Sequence, residues 1–178
     1  KSAASQEPRR VSLAALGSGA AIRETERSLD QLIAGRRPIL LLGEPGTGHD
    51  LAARALQTPD APWIALPNGA RLAANPLALI EEAREGVLYF AEIAQYSKAE
   101  QRGLAFLVPK LDKLNVTLVC TSSEPLGNLA AEGKFDANLL ALLAVGTVIL
   151  LVAFVDELVL ELRGQRRGRV VEGALHHE

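Results

Sequence analysis

The chain has 178 residues, 48% hydrophobic and 22% charged, with a formal net charge of −2. That length suffices for one domain with a sizeable core, and the charge argues against a surface that coats nucleic acid. A single cysteine, Cys120, excludes an internal disulfide and fits a reducing, cytoplasmic setting. There is no methionine, even at position 1, so the chain reads as a piece of a longer protein. Its start, KSAASQEPRR, is polar and lacks an apolar signal core.

Residues 1–16 read as a leader or linker. A helix is predicted over 18–34, with Ile22, Leu29 and Ile33 on one face and Gly35 as its left-handed cap. PILLL (38–42) reads as a buried strand, followed by a glycine-rich loop and a helix opening at HDLAARAL. WIAL (63–66) is a second strand. Asn75 and Pro76 start a helix as N-cap and first-turn residue. GVLYF (86–90) is a third strand, and Ser97 caps a helix with the stripe Leu104, Leu107, Val108, Leu111 that Pro109 kinks at its end. VTLVCT (116–121) and TVILLVAFV (147–155) are the fourth and fifth strands, and DELVLELRG closes as a short helix. The tail from 164 to 178 has no period and reads as a linker. Trp63, Tyr89 and Cys120 are read as core.

Continuous apolar strands alternating with helices imply a parallel sheet covered on both faces. The fold class is therefore α/β: a three-layer sandwich with a five-stranded parallel sheet, its domain running over residues 17–163. The uncharged run 137–155 is long enough to span a bilayer, but Gly146 and Thr147 divide it into a Leu/Ala-rich half and a β-branched half. A helix, a glycine and a buried strand account for it without a membrane.

The loop ILLLGEPGTGHD (39–50) nearly matches the phosphate-binding pattern G-x-x-x-x-G-K-S/T. Gly43, Pro45, Gly46, Thr47 and Gly48 suit a backbone nest of N–H groups at a helix start. His49 stands in the lysine position and is mostly uncharged at neutral pH, so any anion binding is expected to be weak and to strengthen as pH falls. Asp50 stands where a hydroxyl usually holds magnesium, and it repels phosphate.

With these pieces in order, the chain resembles the central AAA+ domain of bacterial enhancer-binding proteins, the NtrC-type activators of sigma-54 RNA polymerase. GSGAAIRETERSLDQLIAGRRPILLLGEPGTGHDLAARAL is similar to the family's opening helix, strand and G-E-S/P-G-T-G-K-E loop. EGVLYFAEIAQYSKAEQRGLAFL is similar to its Walker B region, G-T-L-F-L-D-E-I, and the Q-x-x-L-L-x-x-L helix. VTLVCTSSEPLGNLAAEGKFDANLLALL resembles the sensor segment, A-T-x-x-x-L, leading into E-G-x-F-R-x-D-L-x-x-R-L. The resemblance covers residues 17–155 and implies a P-loop NTPase core. In the family an acidic residue comes after the loop lysine, as Asp50 does here after His49.

The departures fall on chemistry. The family's metal-organising aspartate is Ala91, and only the next residue, Glu92, remains. The sensor position falls at Ser122 or Ser123, and the arginine-finger positions map to Asp136 and Leu142. The family's G-A-F-T-G-A insertion, which touches sigma-54, is replaced by PNGARLAANPLALIEEARE. About twenty residues remain after Asp156, too few for the helical lid. VAFVDE (152–157) mimics a Walker B strand, but Asp156 and Glu157 read as helix caps. RGQRRGR reads as a solvated linker, and His176 and His177 as incidental, with no metal site.

The expectation is a pseudo-ATPase with vestigial Glu92. It is read as a regulatory or scaffolding domain of a bacterial transcription or two-component signalling protein, with no catalytic residue and no cofactor beyond weakly held ATP or ADP. Its partners are expected to be proteins, including other domains of its own chain, with DNA reached only through a domain outside it. As an isolated fragment it is expected to be a monomer or small dimer. The competing readings are a sensor that binds nucleotide without cleaving it and a working ATPase of the sigma-54 activator type.

Overall fold

The strands are runs of aliphatic and aromatic residues without alternating polar positions, the pattern of a sheet buried on both faces. In the computed structural model, which describes residues 19–44, 49–57, 60–66 and 68–149, they form one parallel sheet of order β2-β3-β4-β1-β5. Its strands are β1 (Ile39–Leu42), β2 (Trp63–Leu66), β3 (Val87–Phe90), β4 (Thr117–Ser122) and β5 (Thr147–Ile149). Leu42 pairs with Ser122 across β1 and β4, and Phe90 pairs with Cys120 across β3 and β4. The carboxyl ends of β1, β3 and β4 thus lie side by side, with β4 in the middle.

The period of two in a strand sends neighbours to opposite faces. Ile39, Leu41, Val87, Tyr89 and Val119 meet Leu29 of α1 (Ala20–Ala34) and Ala52, Ala53 and Leu56 at α2 (His49–Ala55). Leu40, Leu88, Phe90, Leu118 and Cys120 face the other way. They meet apolar residues of α3 (Ala70–Ala74), α4 (Pro76–Glu82), α5 (Lys98–Leu107), α6 (Leu126–Ala131) and α7 (Ala137–Ala144). Helices on each side of the sheet make the three layers.

Helix starts obey local chemistry. Asn75 caps α4 by accepting from the Ala78 amide. Ser97 and Glu100 form a reciprocal capping box on α5, with Ser97 N to Glu100 Oε2 at 2.6 Å. Two stops differ from the sequence expectation. Gly35 is not the left-handed residue after α1: its φ is −80°, and Arg36 takes the left-handed conformation at φ 49°. The amides of Arg36 and Arg37 bond to the carbonyls of Ile33 and Leu32, so the Schellman closure sits one residue later than the glycine suggests. Pro109 does more than kink its helix. The α-helix ends at Leu107 and a 3-10 helix runs Val108–Leu114, because proline lacks the N–H and crowds the preceding turn.

The run from 137 divides as its composition suggests, into α7, a turn at Val145 and Gly146, and β5. The Gly146 carbonyl accepts from Leu40 N at 2.9 Å, and a Cβ on Gly146 would collide with the Pro38 carbonyl. Among the described residues no helix is long and apolar enough to cross a membrane. Trp63 is half-buried where core burial is expected, because β2 is the edge strand; its ring stacks on the buried Tyr89 at 5.6 Å. The leader 1–16, the strand beyond 149, Asp156 and Glu157, the arginine-rich tail and His176 and His177 lie outside the described residues.

Candidate functional site

Three strand ends bring the chemistry-bearing residues together. Gly43 comes directly after β1, and its amide donates to the Ser122 carbonyl at the end of β4, 3.3 Å away. His49 is the first residue of α2 and is buried, which the expectation of an anion-facing loop residue does not anticipate. Pro45, Gly46, Thr47 and Gly48 lie outside the described residues, as does the side chain of Asp50.

Beyond β3, Ala91 packs its methyl toward the core on the α1/α2 side of the sheet. Glu92 has left-handed backbone (φ 47°, ψ 54°), a conformation that a residue with a Cβ adopts at a cost of about 1–2 kcal/mol. The turn aims Glu92 across the sheet end toward β4. Its amide donates to Thr121 Oγ1 at 3.1 Å. Its carboxylate Oε2 accepts from the Ser123 amide at 3.0 Å and from the Ser123 hydroxyl at 2.7 Å. Of the two serines considered for the sensor position, Ser123 is therefore the one that touches Glu92. Ser122 instead donates its hydroxyl to the Glu124 carbonyl at 2.7 Å and closes the turn after β4.

The two positions expected to map to arginine fingers make other contacts. Asp136 caps α7, its Oδ1 accepting from the Leu139 amide at 2.8 Å. Leu142 is half-buried on the same helix. Among the described residues no three His, Cys, Asp or Glu side chains gather into a metal-ligand set.

The sequence reading placed Gln101 as the glutamine of the family's Q-x-x-L-L-x-x-L helix but gave it no role. It is 1% exposed, and the hydrogen bonds of its side chain all cross to other segments. Nε2 donates to the Tyr96 carbonyl at 2.7 Å and to the Lys134 carbonyl at 3.1 Å, while Oε1 accepts from the Asp136 amide at 2.8 Å. The side chain ties the segment after Glu92 to the α6–α7 connection. The available signal was its place three residues before Leu104 on the apolar stripe of α5.

The sequence profile of the sigma-54 interaction domain matches residues 16–150. The chain belongs to this family. A Nif-specific regulatory protein of Rhodobacter capsulatus is 29% identical, over 76% of this chain and 29% of its own length; the chain thus spans less than a third of that relative. NtrX from Brucella abortus, solved in complex with ATP, superposes with a TM-score of 0.63 at 21% identity, covering 76% of this chain and 38% of the other. The P-loop NTPase domain of a sigma-54 activator from E. coli gives 0.58 at 20% identity, over 76% of this chain and 97% of that domain. At these identities the superpositions establish the fold, an α/β P-loop NTPase core with a parallel sheet.

Between β2 and β3, where the resemblance leads one to expect the G-A-F-T-G-A insertion, the described residues form the short helices α3 and α4, whose Leu72, Leu79 and Ile80 are buried in the main core.

Proposed function

We propose that this sigma-54 interaction-type domain is a catalytically degenerate AAA+ module, a scaffold or interaction domain of a bacterial transcription or signalling protein. The observation that carries the reading is the end of β3. The Ala91 side chain supplies no oxygen to a cation there, and Oε2 of the one remaining carboxylate, Glu92, is engaged by Ser123. Magnesium-dependent phosphoryl transfer depends almost wholly on positioning and charge, and the residues present do not fit that task. His49 is no fixed cation, Asp136 is committed to capping α7, and Leu142 carries no charge. Packed helices where the sigma-54-touching insertion belongs point the interaction toward another protein surface, or toward other domains of the same regulator.

Phosphate release, measured at high protein concentration with ATP and magnesium, is expected to stay at background. Turnover that disappears in Glu92→Gln would overturn the reading. A sensor that binds nucleotide without cleaving it is the second reading, supported by the ATP held by NtrX and by the glycines kept at 43, 46 and 48. Calorimetry with ATP and ADP separates the two: saturable heat favours the sensor, and none favours the scaffold.

A further inference from the structure

We propose that Glu92 is a structural clasp between β3 and β4, closed by Ser123, so that the residue in the place of a catalytic base holds the sheet end together. The inference rests on the degenerate reading only in giving Glu92 no catalytic task.

Three hydrogen bonds join residues about thirty positions apart in sequence. The Glu92 amide reaches Thr121 Oγ1, and both donors of Ser123 converge on Glu92 Oε2 at 3.0 and 2.7 Å. Hydrogen bonds to an ionised acceptor are shorter and stronger than neutral ones, and these are partly withdrawn from water, where competition is reduced. The left-handed backbone at Glu92 is a cost borne to aim the side chain across β4. A general base must reach the proton of a substrate water. Here the oxygen turned toward β4 already accepts from an amide and a hydroxyl of its own chain. The clasp needs no ligand and no neighbouring subunit. It also lies where β4 leaves the ladder, since the pairing of β3 with that strand runs only as far as Phe90 and Cys120. Without Glu92 the Ser123 amide loses the acceptor that extends the β3–β4 contact beyond the paired residues.

A double-mutant cycle tests this on the whole chain by urea unfolding, with Glu92→Ala, Ser123→Ala and the pair. Each single change is expected to lower the folding equilibrium constant about tenfold, and the double change less than twofold beyond the worse single one. Additive losses, or a silent Ser123→Ala, would overturn the clasp. Should the alanine variants not fold, Glu92→Gln with amide hydrogen exchange serves the same end. The carboxamide oxygen still accepts but carries no charge, so the Ser123 amide is expected to exchange several-fold faster; unchanged exchange overturns the proposal. These outcomes are separable from those of the phosphate-release assay. ATP turnover with a non-additive cycle removes the degenerate reading alone, whereas background turnover with an additive cycle removes the clasp alone.

Discussion

Gln101 and Glu92 each bridge distant segments of this domain, and they are buried to different depths. Gln101 is almost fully buried and meets two carbonyls and one amide. Glu92 is half-buried and meets a hydroxyl and an amide with one oxygen, while its own amide meets Thr121. The difference arises from charge. A neutral amide whose donors and acceptor find partners can be buried at little cost, whereas a carboxylate loses far more hydration on burial and is better kept partly in solvent. A neutral hub can therefore sit under α5, against the core, while the charged residue remains at the sheet end, near solvent.

The hardest blow to that comparison is Gln101→Leu. The substitution suits the apolar stripe of α5 but strands the Tyr96 and Lys134 carbonyls and the Asp136 amide. Unfolding by urea should show a loss of about 3 kcal/mol or more, since each orphaned buried group costs roughly 1–3 kcal/mol. A loss under about 1 kcal/mol would show that water replaces the amide and that depth of burial does not set the hub apart.

Alkali discriminates between the regions more gently. Burial pushes the Cys120 thiol, on β4 opposite Phe90, well above its ordinary range, and burial likewise raises the Tyr96 hydroxyl, whose oxygen has no hydrogen-bond partner among the described residues. Both groups stay protonated in the fold and ionise in the unfolded chain. Their contribution is complete below the unfolded values and is lost as pH rises above about 8.5 for the thiol and about 10 for the phenol. Each group steepens the loss by about 1.4 kcal/mol per pH unit once its unfolded form ionises. Stability measured from pH 8 to pH 10.5 should fall with two successive slopes, and Cys120→Ala should remove the first. Gln101 has no proton to lose over this range.

The smallest effect is expected at Asp136, which joins the hub by its backbone and caps α7 by its side chain. Asp136→Ala leaves the amide bond to Gln101 in place and should cost about 1 kcal/mol, the usual worth of an N-cap, with Asp136→Asn nearly neutral. Thermal unfolding of the two variants reads the difference. Asp136→Arg, which restores a finger-type residue, should match the alanine variant in stability and leave phosphate release at background.

The layered fold was legible because its signals are local or periodic. Unbroken apolar strands, Asn75 with Pro76, Ser97 as a helix cap, and Gly146 between a Leu/Ala run and a β-branched one each reflect a short-range rule. The short helices α3 and α6 escaped notice because five or six residues make less than two turns, too few for an apolar stripe to repeat. Within the site, residue identities named the departures at His49, Ala91, Asp136 and Leu142. They left the sensor position divided between Ser122 and Ser123, because adjacent residues at a strand end differ only in where the turn aims them.

By itself the sequence determined which chemistries are present: a glycine loop without its lysine, a strand end with one carboxylate, an aliphatic core and a single thiol. Composition and spacing are properties of the chain. Only the tertiary structure decided which groups satisfy one another. It buried His49, set Gln101 against carbonyls from two other segments, and turned Glu92 toward Ser123 through a left-handed residue. The pairings of Glu92 with Ser123 and of Gln101 with Lys134 and Asp136 join positions 31 to 35 residues apart and are selected by the packing of the sheet and its helices, which no local pattern encodes.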